Sequence, residues 1–259
     1  MIFDLRSKSG LGINLDSSKP ALLFEKGINS TQPGIRTLAE MREVLIDKSV
    51  SEPADLYYMY RDVYKIDDLA KLQKNKLRYD VTMIKPDMLG TELMKTAGHY
   101  HPGSYGELYE VVNGKCLCML QRRNTADHTV IEEVIVVEAR AGEKIVIPPG
   151  FGHILINPGP EYLVTSNWVS SEFKSQYDLY KKAGGAAYFV IKSKDGIELK
   201  ANPYFKKNAA LKMLKPAPKI DKFGLKVDKP IYPQITEDAA KLGFLNRPMD
   251  FDYQDVFVK

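Results

Sequence analysis

Short apolar runs separated by turn residues dominate the middle of the chain. Between Arg78 and Trp168 they fall at residues 79–84, 107–112, 115–121, 130–137, 144–147, 153–156 and 163–168. Runs of this length broken by Gly, Pro, Asn and Asp read as β-strands. Asn113-Gly114 sits between two of them and predicts a two-residue hairpin, and residues 140–143 and 157–160 read as further turns. Many short strands at regular intervals predict an all-β sandwich or barrel. Upstream, the aromatic run from Leu56 to Tyr64 suits a strand, while Leu38, Met41 and Leu45 recur at helical spacing. Residues 175–183 read as a short helix, and 187–191 with 197–200 as a closing hairpin.

The ends differ in character. Residues 1–35 are rich in Ser, Gly and Pro and read as an arm with little structure of its own. Residues 206–228 carry Lys and Pro with weak periodicity and read as a solvated basic tail. Residues 236–242 predict a helix with Thr236 as its N-cap and acids in the first turn. The expected division is an N-terminal arm with a short helix (1–55), a barrel (56–205) and a C-terminal extension (206–259).

Composition narrows the function classes. At 259 residues, 44% hydrophobic and 27% charged, the chain is an ordinary globular one. A net charge of +4 is too small to argue for nucleic acid. Cys116 and Cys118 are separated by one residue, a poor geometry for a disulfide, and read as two small core side chains. The N-terminus lacks the apolar core of a signal peptide, and no window reaches the roughly 18 apolar residues of a membrane span. The expected compartment is the cytoplasm, with neither membrane nor nucleic acid as partner.

The chemistry lies in the histidines. The chain has four, and three occur in two short segments, as His99, His101 and His153. Two residues apart on a strand, His99 and His101 leave the same face. Glu107 follows just beyond a Gly/Pro turn, and His153 sits on a later turn after Pro148-Pro149-Gly150. Glu107 shares a face with Tyr109, whereas Glu110 points the other way, so Glu107 is the candidate carboxylate. Three imidazoles and a carboxylate suit Fe(II), Mn(II), Ni(II), Co(II) or Zn(II), with Fe(II) placed first. Open coordination positions beside a carboxylate imply chemistry on bound oxygen atoms. His128 lies in a polar turn and fits no motif.

Together the segments spell His99-x-His101, Glu107 and Gly114, then Gly142, Pro148-x-Gly150, His153 and Asn157. This pattern resembles the cupin double motif, departing only in a longer His-to-Glu loop, and implies a small β jelly roll with one metal inside. The wider match is Thr96–His101, Glu107–Tyr109, Ile147–Pro149 and Asn202-Pro203. It resembles the cupin-type glucose-6-phosphate isomerases known from archaea, over about residues 34 to 207.

The resemblance implies one divalent metal per subunit on His99, His101, Glu107 and His153. It implies a phosphate site at Thr82, Thr96, Gly98 and Tyr177, and a sugar pocket lined by Tyr57, Tyr60 and Tyr109. Trp168 stands where the family commonly has a pocket tyrosine. The implied reaction interconverts glucose 6-phosphate and fructose 6-phosphate, with Glu107 moving a proton between C1 and C2 unless a hydride shift replaces it. A homodimer is also implied. The alternatives are a mannose-6-phosphate isomerase, an Fe(II) dioxygenase with a more apolar pocket, and a non-catalytic sugar-binding cupin.

Overall fold

The computed structural model describes residues 1–103 and 105–259. Two sheets enclose one core. The first orders its strands Lys144–Ile147, Glu107–Asn113, Leu163–Ser170, Leu77–Ile84, Asp55–Tyr60 and Gly34–Thr37. The second runs Gly152–Ile156, Lys115–Arg123, Val130–Arg140, Leu211–Pro216 and Phe257–Val258. Pairing is antiparallel except where Lys207–Asn208 and Leu211–Pro216 run parallel to Val130–Arg140. Val111, Ile145 and Ile147 of the first sheet and Cys116, Cys118 and Leu120 of the second share one buried cluster. The expected jelly roll is present, with both cysteines buried and free.

Asn113-Gly114 does not make the predicted hairpin. Glu107–Asn113 and Lys115–Arg123 belong to different sheets, so the dipeptide turns the chain from one sheet to the other. Gly114 supplies the left-handed φ of +79° that the corner needs. Thr37 caps the helix Leu38–Met41 through a reciprocal capping box with Glu40, and the expected helix at 175–183 begins three residues later, at Asp178–Ala183. A helix at Leu69–Asn75 has no counterpart among the predicted elements.

Both termini are built into the molecule. Residues 1–35 contain the three-stranded sheet Ile2–Asp4, Ile13–Asp16 and Ala21–Phe24, and Leu5, Leu11, Ile13, Leu15 and Leu22 are buried. The expected solvated tail instead adds the strand Leu211–Pro216 and buries Ile220, Phe223 and Leu225. Thr236 is not an N-cap. It lies inside the turn Gln234–Glu237 and donates to the Pro233 carbonyl, and a 3-10 helix, Ala239–Leu245, follows.

These segments meet on the outer face of the first sheet. Tyr79, Val81, Met83, Leu108 and Trp168 join Leu11, Ile13, Phe223, Tyr232 and Phe244 in a second buried cluster. Fully burying one such side chain contributes about 1.5–3 kcal/mol, so the cover is a substantial part of the fold. Among the described residues no helix is long and apolar enough to cross a membrane.

Candidate metal centre

Strand pairing brings the two histidine segments together. His99 and His153 are bridged through their backbones, His153 N to His99 O at 3.1 Å and His99 N to His153 O at 3.3 Å. Glu107 opens the strand Glu107–Asn113 and faces into the barrel. Its Oε2 lies 3.2 Å from His101 Nε2, 3.2 Å from His153 Nε2 and 3.8 Å from His99 Nε2. The four donor atoms all lie within 4.8 Å of one another. Glu110, three residues on, is turned to the outer face, where it pairs with Lys144 at 3.0 Å.

This donor set fits a divalent cation. Burial and the neighbouring His153 push the His99 pKa down to about 3, and burial likewise lowers that of His153, so both rings are neutral near pH 7. His101 Nδ1 lies 3.2 Å from the Tyr105 carbonyl, a contact that leaves the Nε2 lone pair free. Burial acts to raise the Glu107 pKa, but the three imidazoles gathered around the carboxylate outweigh it and hold the carboxyl well below its usual range. Glu107 Oε2 is buried and has no well-formed hydrogen bond among the described residues, while Oε1 accepts from Asn167 Nδ2 at 2.7 Å. Neutral imidazoles converging on a bare carboxylate oxygen are what a cation needs and what a core without one avoids.

A pocket partly open to solvent adjoins these ligands. Tyr57, Thr82, Thr96, Gly98, Tyr109 and Tyr177 all line it. Tyr57 Oη accepts from Arg36 Nε at 3.2 Å and from the Ala97 amide at 3.3 Å. Thr96 Oγ1 accepts from the Leu155 amide at 3.0 Å. Gly98 holds φ at +78°, and an added Cβ would meet Ile154 and Tyr180 at 2.5 and 2.6 Å, so only glycine fits. Among the described residues its amide has no partner. The Tyr109 hydroxyl lies 3.2 Å from His153 Nε2. Burial and the Glu107 charge keep Tyr109 protonated.

Two expected pocket residues lie elsewhere. Tyr60 is three residues from Tyr57, hence on the opposite face of its strand, where it packs on Phe24 and accepts from the Leu22 amide. Trp168 also faces outward. Its Nε1 donates to the Ile231 carbonyl at 3.0 Å and its ring stacks on Tyr232, so it offers nothing to a phosphate. Its neighbours Asn167 and Val169 line the pocket instead.

Arg61, Arg78, Asp80 and Asn167 line the pocket without having been anticipated. Arg78 grips Asp80 through Nε and Nη2 at 2.9 and 2.8 Å. Arg78, Asp80 and Thr82 alternate with apolar Tyr79, Val81 and Met83, a period-2 signal readable from the sequence.

A family model described as glucose-6-phosphate isomerase (GPI) matches residues 35–206, about two thirds of the chain. The chain belongs to the glucose-6-phosphate isomerase family. Its likeness to the glucose-6-phosphate isomerase of Thermococcus litoralis is 26% identity, covering 77% of this chain and 98% of that one. The Pyrococcus furiosus enzyme is 23% identical, with 77% and 99% covered. A putative glucose-6-phosphate isomerase 2 of Rhizobium meliloti is 26% identical, with 63% and 85% covered. Among solved structures, an oxalate oxidase is 20% identical, covers 50% of this chain and 55% of that one, and has a TM-score of 0.34. A Bacillus subtilis oxalate decarboxylase is 17% identical, with 46% and 27% covered and a TM-score of 0.33. Overlaps this partial carry no weight for function. The family model excludes residues 1–34 and 207–259, the segments that cover the outer face of the first sheet.

Proposed function

We propose that the chain interconverts glucose 6-phosphate and fructose 6-phosphate, with one divalent cation held by His99, His101, Glu107 and His153. Fe(II) stands first, and Mn(II), Ni(II), Co(II) and Zn(II) suit the same donors. What supports the substrate is a group of hydrogen-bond donors left without acceptors. Tyr57, expected on the sugar side, has its hydroxyl on the Ala97 amide between Thr96 and Gly98 and joins this group. Tyr57 and Thr96 each already accept from the protein, so their protons point outward, and the Gly98 amide and Thr82 hydroxyl stand beside them. A phosphate offers only acceptors and matches such a group. Tyr177, at the start of the helix Asp178–Ala183, closes this end of the pocket beside His99.

With the phosphate there, the open-chain sugar reaches toward Glu107. A cation bound at the four ligands supplies Lewis-acid stabilisation of negative charge on the sugar oxygens. Glu107 turns Oε2 to the imidazoles and Oε1 to Asn167. In this reading Oε1 takes the proton from C2 of the aldose and returns it to C1, while the O2 hydroxyl proton passes to O1. The neutral Tyr109 hydroxyl is a donor for a sugar oxygen on the same side. The polar lining fits a sugar better than the apolar pocket expected of a dioxygenase.

The same reading includes a homodimer in the cytoplasm. The chain's own termini already cover the outer face of the first sheet, which leaves pairing to other surfaces.

A coupled assay that follows conversion of fructose 6-phosphate by the metal-loaded protein tests the reading. Turnover of fructose 6-phosphate well above that of mannose 6-phosphate is expected. Inactivity on fructose 6-phosphate, combined with O₂ consumption on a phenolic or thiol substrate, would transfer the site to the dioxygenase class.

A further inference from the structure

Arg36 donates a hydrogen bond to Tyr57, whose hydroxyl belongs to the pocket wall. A phenolic oxygen has one proton to give and lone pairs for about two acceptor contacts. In Tyr57 both contacts are occupied, by Arg36 Nε at 3.2 Å and the Ala97 amide at 3.3 Å. The proton must therefore be given away, and among the described residues no acceptor takes it. The side chain is buried, with only 3% of it exposed, so bulk water is not a ready substitute.

The contact is built by the fold. Arg36 and Tyr57 are cross-strand partners in the register of Gly34–Thr37 with Asp55–Tyr60. The guanidinium lies 5.9 Å from the Tyr57 ring and 5.5 Å from the Tyr177 ring, between two residues that line the pocket. Its side chain is only 19% exposed, and its other anchor is a long contact from Nη1 to Glu40 at 3.5 Å. A guanidinium has donors and no acceptor. It can only hold the phenol in the donating orientation. Burial raises the Tyr57 pKa and the Arg36 charge opposes that rise, which leaves a neutral phenol with a polarised O–H.

We infer that Arg36 is a positioning residue that fixes Tyr57 as a hydrogen-bond donor to the anionic group of the substrate. The inference rests on the sugar-phosphate reading above and adds a residue that touches no substrate itself. Losing Arg36 frees a lone pair on Tyr57, lets the hydroxyl turn, and withdraws the charge that polarises it.

A double-mutant cycle in the metal-loaded, full-length protein tests this. Arg36→Met and Tyr57→Phe should each raise KM for fructose 6-phosphate about tenfold, the scale of one hydrogen bond to a charged group, with kcat held within about threefold. The double variant should be no worse than Tyr57→Phe alone, because the two act as one unit. Arg36→Lys, a donor without the planar fork, should recover part of the loss. Calorimetry with inorganic phosphate gives a readout independent of turnover, and its affinity should weaken by a similar factor in Arg36→Met.

Additive losses, or an unchanged KM and phosphate affinity in Arg36→Met, would overturn the inference. If Arg36→Met does not fold, Arg36→Lys carries the same cycle, and a loss of equal size with and without Tyr57→Phe would be decisive against it. A phosphate affinity that weakens in Arg36→Met, in a protein whose wild type leaves fructose 6-phosphate unchanged, defeats the isomerase reading alone. A wild type that isomerises while Arg36→Lys and Arg36→Met match it defeats this inference alone.

Discussion

Thr96→Val removes a hydroxyl that works in two directions. Thr96 Oγ1 accepts from the Leu155 amide at 3.0 Å, so its proton is committed to the pocket, where Thr82 and Gly98 stand beside it. A hydrogen bond to a charged phosphate is worth about 1.5–3 kcal/mol. At 1.36 kcal/mol per factor of ten, its loss lowers kcat/KM for fructose 6-phosphate about ten- to a hundredfold. The substitution also strips the Leu155 amide of its acceptor, which costs about 1–3 kcal/mol of stability if no water replaces it. The two effects separate by assay. Steady-state kinetics on fructose 6-phosphate and on fructose should show the loss for the phosphorylated sugar only, and a urea midpoint should fall independently. Thr96→Ser keeps the hydroxyl and should restore both. Metal content, by elemental analysis, should be unchanged, since Thr96 is not among the four clustered donors. Equal loss on both sugars would refute the phosphate role and leave Thr96 as a strand-joining residue.

Other perturbations probe the rest of the structure. Trp168→Phe loses the bond to the Ile231 carbonyl on the outer face, so it should cost about 1–3 kcal/mol in denaturant unfolding while KM for fructose 6-phosphate stays put. A raised KM at unchanged stability would return Trp168 to the pocket. The buried Glu110–Lys144 pair gives a pH signature. Burial raises the Glu110 pKa from 4.5 to about 7 despite Lys144 and the Ile231 amide. Between those values the folded chain holds a proton that the unfolded chain has released, so this group's stabilisation falls as pH rises through the window. Urea midpoints at both ends of the window, compared with a Glu110→Gln/Lys144→Met variant, should show the decline in the wild type only. Identical slopes would mean that Glu110 is ionised throughout.

How much was legible follows from where the information sits. The metal residues could be read because three of four histidines fall in two segments with strand-compatible spacing, and the strands between them alternate clearly. Tyr60 and Arg78 were readable too, by parity. Tyr60 is three residues from Tyr57 and must face away, whereas Arg78 and Asp80 share the face of Thr82. Trp168 is different, because its strand contains no residue whose direction was fixed in advance. Asn113-Gly114 shows the limit of local chemistry. The dipeptide demands a positive φ, which serves a hairpin or an intersheet corner equally. The termini were the least legible. Leu11, Ile13 and Leu15 alternate, but within a Ser- and Gly-rich stretch, and the face they cover is contributed by Tyr79, Val81 and Met83 far along the chain. Long-range partnership of that kind leaves no local signature.

The most direct test of the central claim is activity against metal content. The protein is stripped with a chelator, then titrated with Fe(II), Mn(II) or Ni(II) while conversion of fructose 6-phosphate to glucose 6-phosphate is followed. The cluster of His99, His101, Glu107 and His153 predicts that the stripped protein stays folded but inactive, and that activity returns in proportion to bound metal up to one ion per chain. Full isomerase activity in a verified metal-free preparation would contradict it.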